Sequence, residues 1–165
     1  MEERLAASTG FLLARLGAES RRRWARMLAA HQLTPHHFAA LMALDHLGTA
    51  AQHQVGELIG VDPRNTVAVI EPLHRRRLVA RDTDPADRRR HQLSLTDDGA
   101  ALLARLRAEG DAVEDEMLAG LSVRQRAELH ALLADLAGQV IGPGPPAPDC
   151  AGEGAGRRRK RPRAL

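Results

Sequence analysis

Apolar side chains recur along this chain at helical spacing, with one interruption. Between Thr9 and about Ala30 they fall at Phe11, Leu12, Leu16, Trp24, Met27 and Leu28, interleaved with Arg15, Arg21, Arg22, Arg23 and Arg26. That pattern predicts a long amphipathic helix, broken near Gly17, with Arg21-Arg22-Arg23 as a solvated face. Thr34-Pro35 predicts the next helix start, because Thr caps free amides and Pro presets the first helical φ. Phe38, Leu41, Met42 and the run Leu44 to Leu47 form its buried stripe, and Gly48 ends it. A short helix from Gln52 to Gly60 follows on Val55, Leu58 and Ile59, with Gly60 suited to its end. Asp62-Pro63 repeats the cap-and-Pro signal and opens a helix to Arg77 that buries Val67, Ile70 and Leu73. Pro72 sits inside that helix, removing a hydrogen bond to the Ala68 carbonyl, so a kink or an end and restart is expected there.

The period then changes. Leu78, Val79 and Arg81 predict a short strand, and His91 to Leu95 alternates polar and apolar residues as a half-buried strand does. Between them Asp84-Pro85 opens a turn and Asp87-Arg88-Arg89-Arg90 makes the loop tip basic. Thr96 followed by Asp97 and Asp98 reads as an N-cap with acids in the first turn. A long helix over Asp97 to Leu121 follows, carried by Leu102, Leu103, Leu106, Val113, Met117 and Leu118, with a bend expected at Gly110. Ser122 with Gln125 is a capping box for a last helix to about Val140 through Leu129, Leu132, Leu133 and Leu136. The predicted fold class is mainly α with a small β-hairpin wing.

Two short helices joined by Gly60-Val61-Asp62 make a helix-turn-helix unit, whose second helix presents its first residues to base edges in a major groove. The candidates are Arg64, Asn65, Thr66 and Val69: Arg and Asn can bond guanine and adenine through two atoms each, and the Thr66 hydroxyl can reach a phosphate. Gln52 and His53, opening the preceding helix, are placed near the DNA backbone, where helix amides also face phosphates. Arg75, Arg76 and Arg77 lie beyond Pro72 and either face DNA or turn away; Arg75 is kept among the contacts. Arg88, Arg89 and Arg90 concentrate guanidinium groups where a two-stranded ribbon projects furthest, suited to phosphates and a narrow minor groove. Arg81, Asp84 and Asp87 organise the wing, with Asp87 accepting from Arg81 or Arg89.

As a set, Leu78-Val79, Arg81, Asp84-Pro85, Asp87-Arg88-Arg89, Leu95-Thr96 and Gly99 resemble the wing of the MarR (multiple antibiotic resistance regulator) family, and the resemblance extends less sharply over roughly residues 8–141. It implies a winged helix-turn-helix domain over 1–141, with a DNA-binding lobe at about 34–96 and dimerisation helices at about 8–31 and 97–140. It implies a homodimer through Phe11, Leu12 and Leu16 of the first helix and Leu129, Leu132, Leu133 and Leu136 of the last. It also implies that Arg89 reaches the minor groove, and that a small-molecule effector binds between dimer base and winged domain, with Trp24, His31 and His36 as lining candidates. The function implied is a ligand-responsive repressor on a pseudo-palindromic double-stranded DNA site. Two other readings stay open: a non-specific nucleoid-type DNA binder, and a winged module that has lost DNA binding.

Composition narrows the rest. Hydrophobic residues make up 44% of the 165 and aromatics only 2%, so the core is built from Leu, Ala, Val and Ile. No run approaches the roughly 18 apolar residues of a membrane span, and MEERLAAS has no apolar signal region, so a cytoplasmic protein is expected. Cys150 stands alone and cannot form an internal disulfide. Of the 24 basic residues, six lie from Gly142 onward against two acids, so the formal charge of +3 belongs to the end of the chain. Residues 142–165 are dense in Pro and Gly and are expected to be a disordered tail, either an electrostatic DNA arm or a solubilising end. Eight histidines suggest a metal, but His36-His37 point about 100° apart on a helix and no HxxxH or CxxC spacing occurs. No catalytic set or phosphate loop is marked, and no cofactor is expected.

Overall fold

The computed structural model describes residues 8–83 and 91–142. Within them run helices α1 (Thr9–Ala30) and α2 (Pro35–Leu47), strand β1 (Thr49–Ala51), and helices α3 (Gln52–Leu58) and α4 (Pro63–Arg75). Strands β2 (Val79–Thr83) and β3 (His91–Leu95) and helices α5 (Asp97–Met117) and α6 (Val123–Val140) complete the order. The chain divides into two compact units after Arg126.

The first unit closes around Leu28, Leu33, Leu41, Leu44, Val55, Ile70, Leu73, Val79, Leu93, Leu103 and Leu106, drawn from α1 to α5 and the sheet. Capping follows the local chemistry. The Thr34 hydroxyl accepts from the His37 amide at 3.3 Å, and His37 Nδ1 accepts from the Thr34 amide at 3.1 Å. Partial burial, then the neighbouring Arg76 and His36 charges, lower the His37 pKa, which keeps that nitrogen free to accept. Thr96 accepts from the Gly99 amide at 3.0 Å, and Ser122 and Gln125 form the expected capping box.

Four local readings are refined. α1 runs unbroken through Gly17, and Glu19 pairs with Arg22 and Arg23, whose hydrogen bonds hold its carboxyl at a pKa of about 2. α4 does not end and restart at Pro72 but continues through it to Arg75. An internal Pro costs about 3 kcal/mol, which fully burying Ile70 and Leu73, at about 1.5–3 kcal/mol each, offsets. Gly110 lies within α5, which runs as one helix to Met117, and a Cβ at 110 would lie 2.4 Å from Trp24 Cη2. The glycine lets the indole of α1 lie against the α5 backbone, and the same side chain meets the Phe38 ring at 5.3 Å between centroids. Leu47, finally, is exposed rather than part of the α2 stripe.

The wing is also larger than two strands. The sheet order is β1-β3-β2, all antiparallel, with Ala50 opposite Leu93 and Arg81 opposite Leu93 on its other edge. Three residues, Thr49-Ala50-Ala51, are too short to show a period. They pair because Ala50 is buried beside β3, whose second edge would otherwise be unsatisfied.

In the second unit, described by itself, α6 continues from Ala127 with Leu132, Leu133 and Leu136 exposed and Leu129 half-buried.

Candidate nucleic-acid interface

The turn into α4 is fixed by one residue. Asp62 accepts the Arg64 amide on its carboxylate at 2.8 Å, while its carbonyl takes the Asn65 and Thr66 amides at 2.8 and 3.0 Å. Gly60 takes a φ of +67°, which its missing side chain permits, and Val61 N–H donates to Gly56 O at 2.9 Å.

Inward on α4 point Thr66, Ile70 and Leu73, all fully buried. The i, i+4, i+7 stripe leaves Arg64, Ala68 and Arg75 on the outward side, with Asn65 and Val67 at its two edges, and all five are exposed. One expected contact is thereby corrected. Thr66 cannot present its hydroxyl to a phosphate, because it is 0% exposed and Oγ1 donates to Asp62 O at 3.1 Å. It lies in the crossing of α3 over α4, where a Cβ at Gly56 would fall 2.4 Å from that oxygen. Val69 packs half-buried against the core, whereas Val67, expected inside, is 48% exposed. Ile70 and Leu73 are buried as expected, and the third member of the stripe is Thr66 rather than Val67.

Arg81 links the wing to both helices of the unit. From β2 its guanidinium donates to Gln52 Oε1 at 3.4 Å and lies 3.9 Å from Glu71 Oε2 on α4. Gln52 is therefore half-buried and engaged within the protein, and His53 beside it is exposed. With Thr49, Ala50, Ala51, Gln54, His91 and Gln92, His53 lines a cavity of about 200 Å3 at the edge of the sheet. Sequence reasoning missed Glu71, whose only signal was an acid on an otherwise basic face.

The arginine run after α4 divides by role. Arg75 is exposed on the outward side. Arg76 donates to the carbonyls of His31 and Gln32 at 3.0 and 3.4 Å, tying α4 to the end of α1. Arg77 takes a φ of +57° to end the helix, with Leu78 N–H bonded to Leu73 O at 3.0 Å. That conformation costs a residue with a Cβ about 1 kcal/mol. Arg88, Arg89 and Arg90, with Asp84 and Asp87, lie outside the described residues.

Of the effector candidates, Trp24 and His31 meet α5, the latter with Nε2 2.7 Å from Glu109 Oε2. His36 stands apart, exposed in the first turn of α2. The cavity beside β1 includes none of the three. Phe11, Leu12 and Leu16 form an exposed apolar run on α1, with the Arg15 guanidinium 5.8 Å over the Phe11 ring. No described helix is long and apolar enough to cross a membrane.

Residues 31–90 match the sequence model of the MarR family. A protein of Thauera aromatica named as a transcriptional regulator for the hcr operon is 30% identical over 133 residues, 80% of each chain. The repressor CouR, solved bound to a 23-mer DNA duplex, is 33% identical with a TM-score of 0.66, covering 81% of this chain and 94% of that one. The PcaV regulator of Streptomyces coelicolor, solved with its natural ligand, is 32% identical with a TM-score of 0.61, covering 81% and 94%.

Proposed function

The chain belongs to the MarR family of transcriptional regulators, and from that premise we propose that it is a repressor that binds a pseudo-palindromic double-stranded DNA site as a homodimer. The observation that carries this reading is the outward side of α4. Arg64 and Asn65 stand exposed at its first turn, held there by the Asp62 cap. Arg guanidinium and Asn amide are the groups that read guanine and adenine edges. Arg75 and the wing arginines supply charge for phosphates and minor groove, and Arg81 sets the wing against α4. CouR, similar to this chain, carries the name of a repressor and was solved on DNA.

A second copy is the natural cover for Phe11, Leu12 and Leu16 and for Leu132, Leu133 and Leu136, which the isolated chain leaves exposed. A dimer fixes the distance between two α4 helices. An effector preferring a different separation releases DNA by its difference in affinity for the two states. Trp24 and His31, where α1 meets α5, are the proposed reporters of that effector.

The test is binding to the DNA upstream of the chain's own gene against scrambled DNA of equal length, at two salt concentrations. The reading expects the ratio between the two to persist at the higher salt. Equal binding that collapses together with salt identifies a non-specific binder instead. A chain cut after Ile141 should keep the same ratio.

A further inference from the structure

We infer that Val67 is a specificity residue that reads the C5-methyl group of a thymine in the major groove. The inference rests on the proposed DNA-binding reading and names one base position within it. Val67 is 48% exposed and takes no part in the core, although valine is ordinarily a buried residue. It stands at the edge of the outward side of α4, one turn after Arg64. An isolated apolar residue on a protein surface needs no explanation by itself. This one sits among the side chains that face base edges, on the helix whose first turn is held by Asp62.

The chemistry of the groove then selects the ligand. Base edges in the major groove offer acceptors and donors to Arg and Asn, and their one apolar feature is the pyrimidine methyl. A β-branched side chain in a helix has essentially one χ1 rotamer, so the two Val67 methyls are fixed before binding and lose little freedom on contact. Val67 thus offers an apolar surface on a polar face, which a thymine methyl covers and a cytosine does not. A 5-methylcytosine carries the same methyl group. An unmodified synthetic duplex separates the two sources, because thymine is its only methylated base.

The experiment uses the full chain and a footprinted synthetic duplex from upstream of its gene, with thymines replaced one at a time by deoxyuridine. Affinity is read by fluorescence anisotropy. Wild type should show one position where loss of the methyl weakens binding about fourfold per half-site. Val67→Ala should bind more weakly and be indifferent to uracil at that position, while Val67→Thr, which keeps a methyl on Cβ, should retain the sensitivity. The inference is overturned if wild type tolerates uracil at every position, or if Val67→Ala shows the same loss as wild type. Failure of the underlying reading is visible earlier, as equal wild-type binding to the upstream and scrambled duplexes before any uracil is introduced.

Discussion

Thr66→Val separates the two roles that this residue can have on α4. As a phosphate contact, the hydroxyl would contribute to DNA binding and little to stability. In the structure it is fully buried and donates to Asp62 O at 3.1 Å. Valine keeps the branched shape and a similar helix propensity, so the change reduces to one buried hydroxyl replaced by a methyl. The Asp62 carbonyl is not orphaned, because the Asn65 and Thr66 amides still donate to it at 2.8 and 3.0 Å. The cost is therefore that of one net hydrogen bond, about 0.5–1.5 kcal/mol, without the larger penalty of an unsatisfied buried acceptor. Urea unfolding should show a midpoint shift of that size at constant slope. Operator affinity, measured where both proteins are folded, should stay within about twofold at two salt concentrations. Unchanged stability with a salt slope reduced by about one would refute the reasoning, since a lost phosphate contact behaves that way.

Other consequences follow from the same contacts. Arg81→Ala should lower operator affinity while costing less than about 1 kcal/mol in stability, because the pair with Glu71 is partly exposed. In the double variant with Glu71→Gln the two losses should fall short of additive, and strictly additive losses would show that Arg81 does not act through Glu71. Gly110→Ala gains about 1 kcal/mol of helix propensity but drives a methyl to 2.4 Å from a Trp24 ring held by Phe38. A net loss is expected by thermal unfolding, with altered tryptophan fluorescence; a stabilised variant would mean that α1 does not lie against α5 there. The lowered His37 pKa means that the unfolded chain binds a proton at higher pH than the folded one. Its contribution is therefore full above about pH 6.5 and lost as pH falls below that value. Wild type should lose stability faster than His37→Gln between pH 7 and 5, and parallel curves would contradict this.

Local chemistry was enough to place most elements. Thr34-Pro35, Asp62-Pro63, Thr96 and Ser122 with Gln125 act through bonds within a few residues of themselves, and each begins a helix where the sequence puts it. The alternation from His91 to Leu95 and the spacing of polar residues after Asp62 likewise marked β3 and the exposed Arg64 and Asn65. What remained hidden depended on residues distant in the chain. β1 exists because β3 has a second edge to satisfy, and three residues carry no period of their own. Gly110 meets Trp24, and α4 survives Pro72 because Ile70 and Leu73 are buried from both sides of it. Thr66 and Val67 exchanged their expected places because polarity says which residues prefer water, whereas the crossing of α3 and α4 decides which side of the helix is shut in. That a hydroxyl can be satisfied by the Asp62 carbonyl, leaving a valine outside to meet whatever the helix docks against, is settled only by packing.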